Sequence, residues 1–171
     1  VLFLMRGLDP VRGSADLVAL GLPRIAQKEG EPGEEAHALS FVSLDLEHPF
    51  FAGMFERTAA SSSEIVRSIA SPKIYEVYDL QSTRARTLIK MTNGFPFLAE
   101  ARVGKGDVLL FAVPPTLEFS DLPRRSVFLP LIRRAGAYAS AVATALDESR
   151  RGAYVTTEPF DLDLTRLRGE Q

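Results

Sequence analysis

The sequence predicts an α/β fold with a mixed sheet, organised around a three-strand antiparallel meander with flanking helices. Three observations predict it. Residues 84–91 and 96–103 alternate apolar and polar positions on either side of Asn93-Gly94, a dipeptide whose two positions both favour positive φ and which marks a tight hairpin. Residues 107–113, "DVLLFAV", are apolar almost throughout, as a central strand should be. Over 126–148, Phe128, Leu131, Ile132, Ala135, Tyr138, Ala139, Val142 and Leu146 recur at helical spacing.

The remaining elements follow in order. Val1 to Met5, "VLFLM", read as a strand buried on both faces. "RGLDPVRG" reads as a loop, with Ser14 capping a short helix that carries Leu17, Val18 and Leu20 and ends at Gly21. Residues 27–36, rich in Gly, Pro and Glu, read as an exposed loop. "ALSFVSLDL" is strand-like, and His48-Pro49 introduces an aromatic turn that buries Phe50 and Phe51. Ser61 and Glu64 form a capping box before a short helix. "KIYEVYDL" is a further strand. Gly104-Lys105-Gly106 reads as a three-residue hairpin loop with Gly106 at positive φ. Pro130 fits only in the first turn of the long helix or at a kink. Residues 159–165 alternate and read as an edge strand or connector.

Composition narrows the function. A chain of 171 residues can bury the core of one domain. Its net charge of −2 comes from 20 basic and 22 acidic residues well mixed along the chain, which argues against nucleic acid as a partner. With no cysteine there is no disulfide, thiolate metal site or cysteine nucleophile. No apolar run approaches the roughly 20 residues of a membrane helix, so no membrane insertion is expected of these residues. The opening on "VLFLM" without an initiating Met reads as a piece of a longer protein.

Candidate chemistry is sparse. Gly104-Lys105-Gly106 lacks the spacing and the following helix of a phosphate-binding loop, so it reads as a hairpin turn. The segment "PPTLEFSDLP" leaves the carboxyl end of a strand and leads into a helix, where open α/β sheets place ligands. It offers Glu118, Ser120 and Asp121 as a ligand loop, although Ser120 or Asp121 could equally cap the next helix. His48 lies near Asp45 and Glu47, but that spacing matches no metal-ligand pattern, and His37 stands apart. No nucleophile elbow occurs. Neither a cofactor nor a metal is expected.

"HPFF" and the run from Gly94 to Tyr138 resemble a family of bacterial membrane proteins, the N-terminal double-transmembrane-domain proteins of the Bat (aerotolerance) type. The resemblance covers about residues 1–150 and is specific over about 94–138. It is carried by Pro96 to Leu98, Arg102 to Phe111, Phe119 to Pro123 and Phe128 to Leu131, with Phe119 where the family has tryptophan. It implies that residues 1–152 are the second half of a class I glutamine-amidotransferase-like (flavodoxin-like) domain lacking the amidotransferase triad. Residues 153–171 would then be a C-terminal strand or a connector. The remainder of that domain, a von Willebrand-type domain and the membrane helices would lie elsewhere in the protein. The implied function is a non-catalytic interaction or scaffold module on the extracytoplasmic side of a membrane-anchored protein. Its expected partner is a protein, with a homodimer through the Val1 to Met5 sheet edge as the first choice. The alternative is a hydrolase or small-ligand-binding domain using Glu118, Ser120, Asp121 and His48.

Overall fold

The structure is a computed structural model that describes residues 1–4, 8–55 and 62–151, with backbone only over 142–151. Met5, the Ser61 capping box and the 153–171 segment lie outside the described residues.

Among the described residues, seven strands and three helices follow one another along the chain. They are β1 (Leu2–Phe3), α1 (Pro10–Ala19), β2 (Arg24–Gly30), β3 (Phe41–Leu44), α2 (Ser62–Ser68), β4 (Glu76–Gln81), β5 (Ala85–Met91), β6 (Pro96–Val103), β7 (Gly106–Phe111) and α3 (Phe128–Arg151). Short 3₁₀ turns at Pro49–Phe51 and Leu122–Arg124 complete the framework. A five-stranded sheet runs β1-β7-β6-β5-β3, and β2 and β4 form a separate antiparallel ribbon. The large sheet is mixed: β1 lies parallel to β7, while β7-β6-β5-β3 pair antiparallel.

The meander falls where the alternation put it, but its two turns exchange types. Met91 N–H donates to Phe95 O and Gly94 N–H to Met91 O, each at 2.9 Å, which closes a three-residue loop with Gly94 at φ 91°. Asn93 keeps negative φ, and its side chain instead accepts from Phe95 N–H at 3.0 Å. The β6–β7 turn is the two-residue one: Val103 pairs with Gly106, and Gly104 takes φ 58°. Gly106 is therefore an ordinary strand residue, and the expectation of positive φ there is overturned. A two-residue loop needs its glycine at the first central position when only that position has positive φ.

Helix α1 starts earlier than expected. Asp9 is its N-cap, accepting from Arg12 N–H at 2.8 Å, with Pro10 at the first helical position, where its missing N–H costs nothing. Ser14 is interior, and its hydroxyl accepts from Ile25 N–H across to β2. The helix ends as predicted at Gly21 (φ 77°). Leu22 N–H bonds Leu17 O and Gly21 N–H bonds Val18 O, a Schellman closure that also brings two buried leucines together.

Residues 24–30 form a strand where a loop was expected over 27–36. Only Ile25 of β2 is buried, so the segment has no apolar alternation to read. Main-chain pairing with β4 and the Lys28–Glu76 ion pair (2.9 Å) hold it. β1 is also not buried on both faces. It is an edge strand in which Leu4 is buried, Leu2 is 36% exposed and Val1 53%.

The core lies between the large sheet and the elements covering it. Phe97 meets Phe111 edge-on at 5.8 Å, and Phe3 stacks on Phe111 at 4.4 Å. Helix α3 packs on β7, burying Leu131 and Ala135, with Pro130 in its first turn.

Candidate functional site

After β7 the chain stays buried through Pro114, surfaces at Leu117 and Glu118, then dives back. Phe119 and Ser120 are buried, at 1% and 0% exposure. Main-chain bonds stitch this segment to the entry of β4. Tyr75 N–H donates to Phe119 O (2.8 Å) and Asp121 N–H to Lys73 O (3.0 Å), and Ile74 bridges both Ser120 and Leu39. Gly33 N–H donates to Glu118 O (2.8 Å). Tyr78 N–H reaches Ala112 O (3.2 Å), which ties β4 to the residue that follows β7.

The three loop residues therefore meet three different environments. Glu118 is exposed. Ser120 Oγ is buried without a hydrogen-bond partner among the described residues, so none of them is placed to take its proton. Asp121 is fully engaged: Oδ1 accepts from Lys73 N–H at 2.7 Å, and Oδ2 accepts Nε–H of Arg125 at 3.0 Å together with a second, shorter contact from the same guanidinium. Burial pushes its pKa up, but the Arg125 and Lys73 donors outweigh this and hold it below the ordinary value. Neither candidate cap forms as expected. Asp121 precedes the 3₁₀ turn Leu122–Arg124, yet its side chain makes no capping bond to it.

A second polar cluster joins the 3₁₀ turn after His48 to β6 and α3. His48, 5% exposed, accepts Phe50 N–H at Nδ1 (3.2 Å) and lies 2.9 Å from Glu100 Oε2 through Nε2. An amide can only donate, so Nδ1 must be the acceptor and Nε2 carries the proton given to Glu100. Burial and the Glu100 carboxylate push the Tyr138 hydroxyl up to about 12, and its ring lies 5.7 Å from His48. Arg134 donates to Phe50 O (2.5 Å) and Pro49 O (2.6 Å) and ties the same turn to α3. Both His48 nitrogens are thus committed within the fold, which leaves none to act on a substrate. Sequence reasoning singled out His48 with its neighbours Asp45 and Glu47; the structure sends Asp45 to Arg86 instead and supplies Glu100 from 52 residues away. The signal available was a lone carboxylate between Ala99 and Ala101, after the apolar run Pro96 to Ala99. His37 is exposed and sits beside Glu34 (3.1 Å). Among the described residues no group of three or more His, Asp or Glu side chains could hold a metal ion, and no helix is long and apolar enough to cross a membrane.

No known protein family matches the chain, and neither does any curated protein. A solved structure, Cytoplasmic Protein STM3548 from Salmonella typhimurium, is similar at 14% identity with a TM-score of 0.47; the match covers 69% of this chain and 43% of that one. The chain thus spans less than half the length of that neighbour.

Proposed function

We propose that this chain is a non-catalytic interaction module: part of a glutamine-amidotransferase-like, flavodoxin-like domain of a bacterial membrane-anchored envelope protein of the Bat type, acting on the extracytoplasmic side. One observation carries the non-catalytic reading. The residues that could act as nucleophile and base, Ser120 and His48, are both buried and have no free chemistry to offer, the first without a base and the second with both nitrogens engaged. Asp121 is likewise saturated by Lys73 and Arg125. Phe119, where the resembled family has tryptophan, is a core anchor at 1% exposure, which fits a loop kept for structure.

The module's partner is a protein that adds to the sheet, with a second copy of the chain as first choice. The two edges of the large sheet are treated differently. On β3, Phe41 N–H is taken by Ser71 Oγ (2.7 Å) and Leu44 N–H by Ser62 Oγ (2.6 Å), so side chains blunt that edge. Nothing among the described residues pairs with the outer side of β1, where Val1 and Leu2 are exposed. Two experiments test the reading. Purified protein should turn over neither glutamine nor ester substrates, and turnover abolished by Ser120→Ala would refute it. Sedimentation at micromolar concentration should show self-association that weakens when Leu2 is replaced by Lys; a strict monomer would remove the homodimer.

A further inference from the structure

Some of the protein's cations are held in ion pairs. Lys28, Lys73, Arg86, Arg102 and Arg125 each contact a carboxylate. A cleft of about 790 Å³ lies between the end of α1, the end of β4 and the outer face of β5. Arg84 and Lys90 line it without a carboxylate partner among the described residues. Arg24 lines it too, and a relay fixes its place: the guanidinium donates to Gln81 Oε1 (2.6 Å), and Gln81 Nε2 donates to Asp79 Oδ2 (2.8 Å). Asp79 is 6% exposed, so the relay is anchored in the buried part of β4. Three cations against one carboxylate give the lining a local charge of +2 in a chain whose net charge is −2.

We infer that this cleft binds a small polyhydroxylated anion of the sugar-phosphate class. Three cations lining one cleft favour an anion there, and guanidinium and ammonium groups recognise phosphate through charge-assisted hydrogen bonds. The cleft is open to solvent, and its lining runs from the cations to hydroxyl-bearing side chains, so an anion with a hydroxylated body uses more of it than a bare phosphate. No aromatic ring lines the cleft, which removes the stacking surface a nucleobase would use. The lining instead offers the hydroxyl groups of Ser82, Thr83 and Thr87, which suit ligand hydroxyls. The site lies away from the 118–121 loop and does not depend on the non-catalytic reading.

Isothermal titration calorimetry on the whole chain tests it, with glucose 6-phosphate as probe and glucose and inorganic phosphate as comparators. The expected result is saturable binding of glucose 6-phosphate, tighter than either comparator and weakening as salt is raised. The exposed double variant Arg84→Gln/Lys90→Gln should keep its melting temperature and lose at least about tenfold in affinity, the equivalent of one well-placed charged contact. Arg24→Gln should also weaken binding. Absence of saturable binding, or undiminished binding by the double variant, would overturn the site. Phosphate binding as tightly as the sugar phosphate would overturn the ligand class.

Discussion

His48 Nε2 and Glu100 Oε2 lie 2.9 Å apart, joining the 3₁₀ turn at Pro49–Phe51 to the middle of β6. The pair is buried, at 5% and 14% side-chain exposure, and Glu100 Oε1 has no hydrogen-bond partner. His48 donates to this carboxylate, on which the Tyr138 hydroxyl also acts, and it also accepts Phe50 N–H. His48→Ala should strip both contacts and destabilise by roughly 2–4 kcal/mol, the cost of leaving buried polar groups unpaired. Urea unfolding checks this; a loss under about 0.5 kcal/mol, the level of an ordinary surface substitution, would show that the pair is not structural.

Asp121 gives a pH dependence. Its folded pKa lies below the ordinary 3.8, because the Arg125 and Lys73 donors outweigh burial. A depressed carboxylate contributes stability that is fully present above its unfolded pKa and is lost as pH falls through the folded value. Asp121→Asn should therefore be less stable than the parent near neutrality, and the gap should close below about pH 4. Thermal melts across acid pH measure it. A gap that stays constant down to about pH 2 would contradict the charge-based account.

The glycines should separate cleanly. At Gly30, φ is 85° and a Cβ would lie 1.9 Å from Tyr75 O, so Gly30→Ala must displace main chain and should cost roughly 2 kcal/mol or more. Gly94→Ala and Gly104→Ala meet open surroundings but keep positive φ, so each should cost about 1 kcal/mol. Gly106→Ala, with negative φ and nothing nearer than 3.9 Å, should be close to neutral. Denaturation midpoints for the four variants test that order, and a Gly106→Ala loss matching Gly104→Ala would invalidate the turn assignment.

The parts legible in the sequence are those where a local pattern decides the outcome. Alternation around Gly94 and Gly104 placed β5, β6 and β7 within a residue or two, because one buried face imposes period two. The turn types were not legible, since glycine spacing alone does not say which N–H closes the loop. β2 escaped notice because it is stabilised by the main chain of β4, 46 or more residues away, and not by apolar side chains of its own. The start of α1 was legible in Asp9-Pro10 but was assigned to Ser14, whose hydroxyl is used by β2. At the 118–121 loop the sequence showed three reactive side chains but not their burial. The pairing of residues 119–121 with 73–76, a contact between distant segments, accompanies the burial of Ser120.

If the chain is a non-catalytic module, Ser120 is framework and not nucleophile. Labelling of the folded chain with a serine-directed fluorophosphonate, read site by site by mass spectrometry, tests this. A buried hydroxyl with no base should give no adduct at Ser120 under conditions that fully label a serine hydrolase control. An adduct at Ser120 that disappears on prior unfolding would show an activated nucleophile and contradict the account.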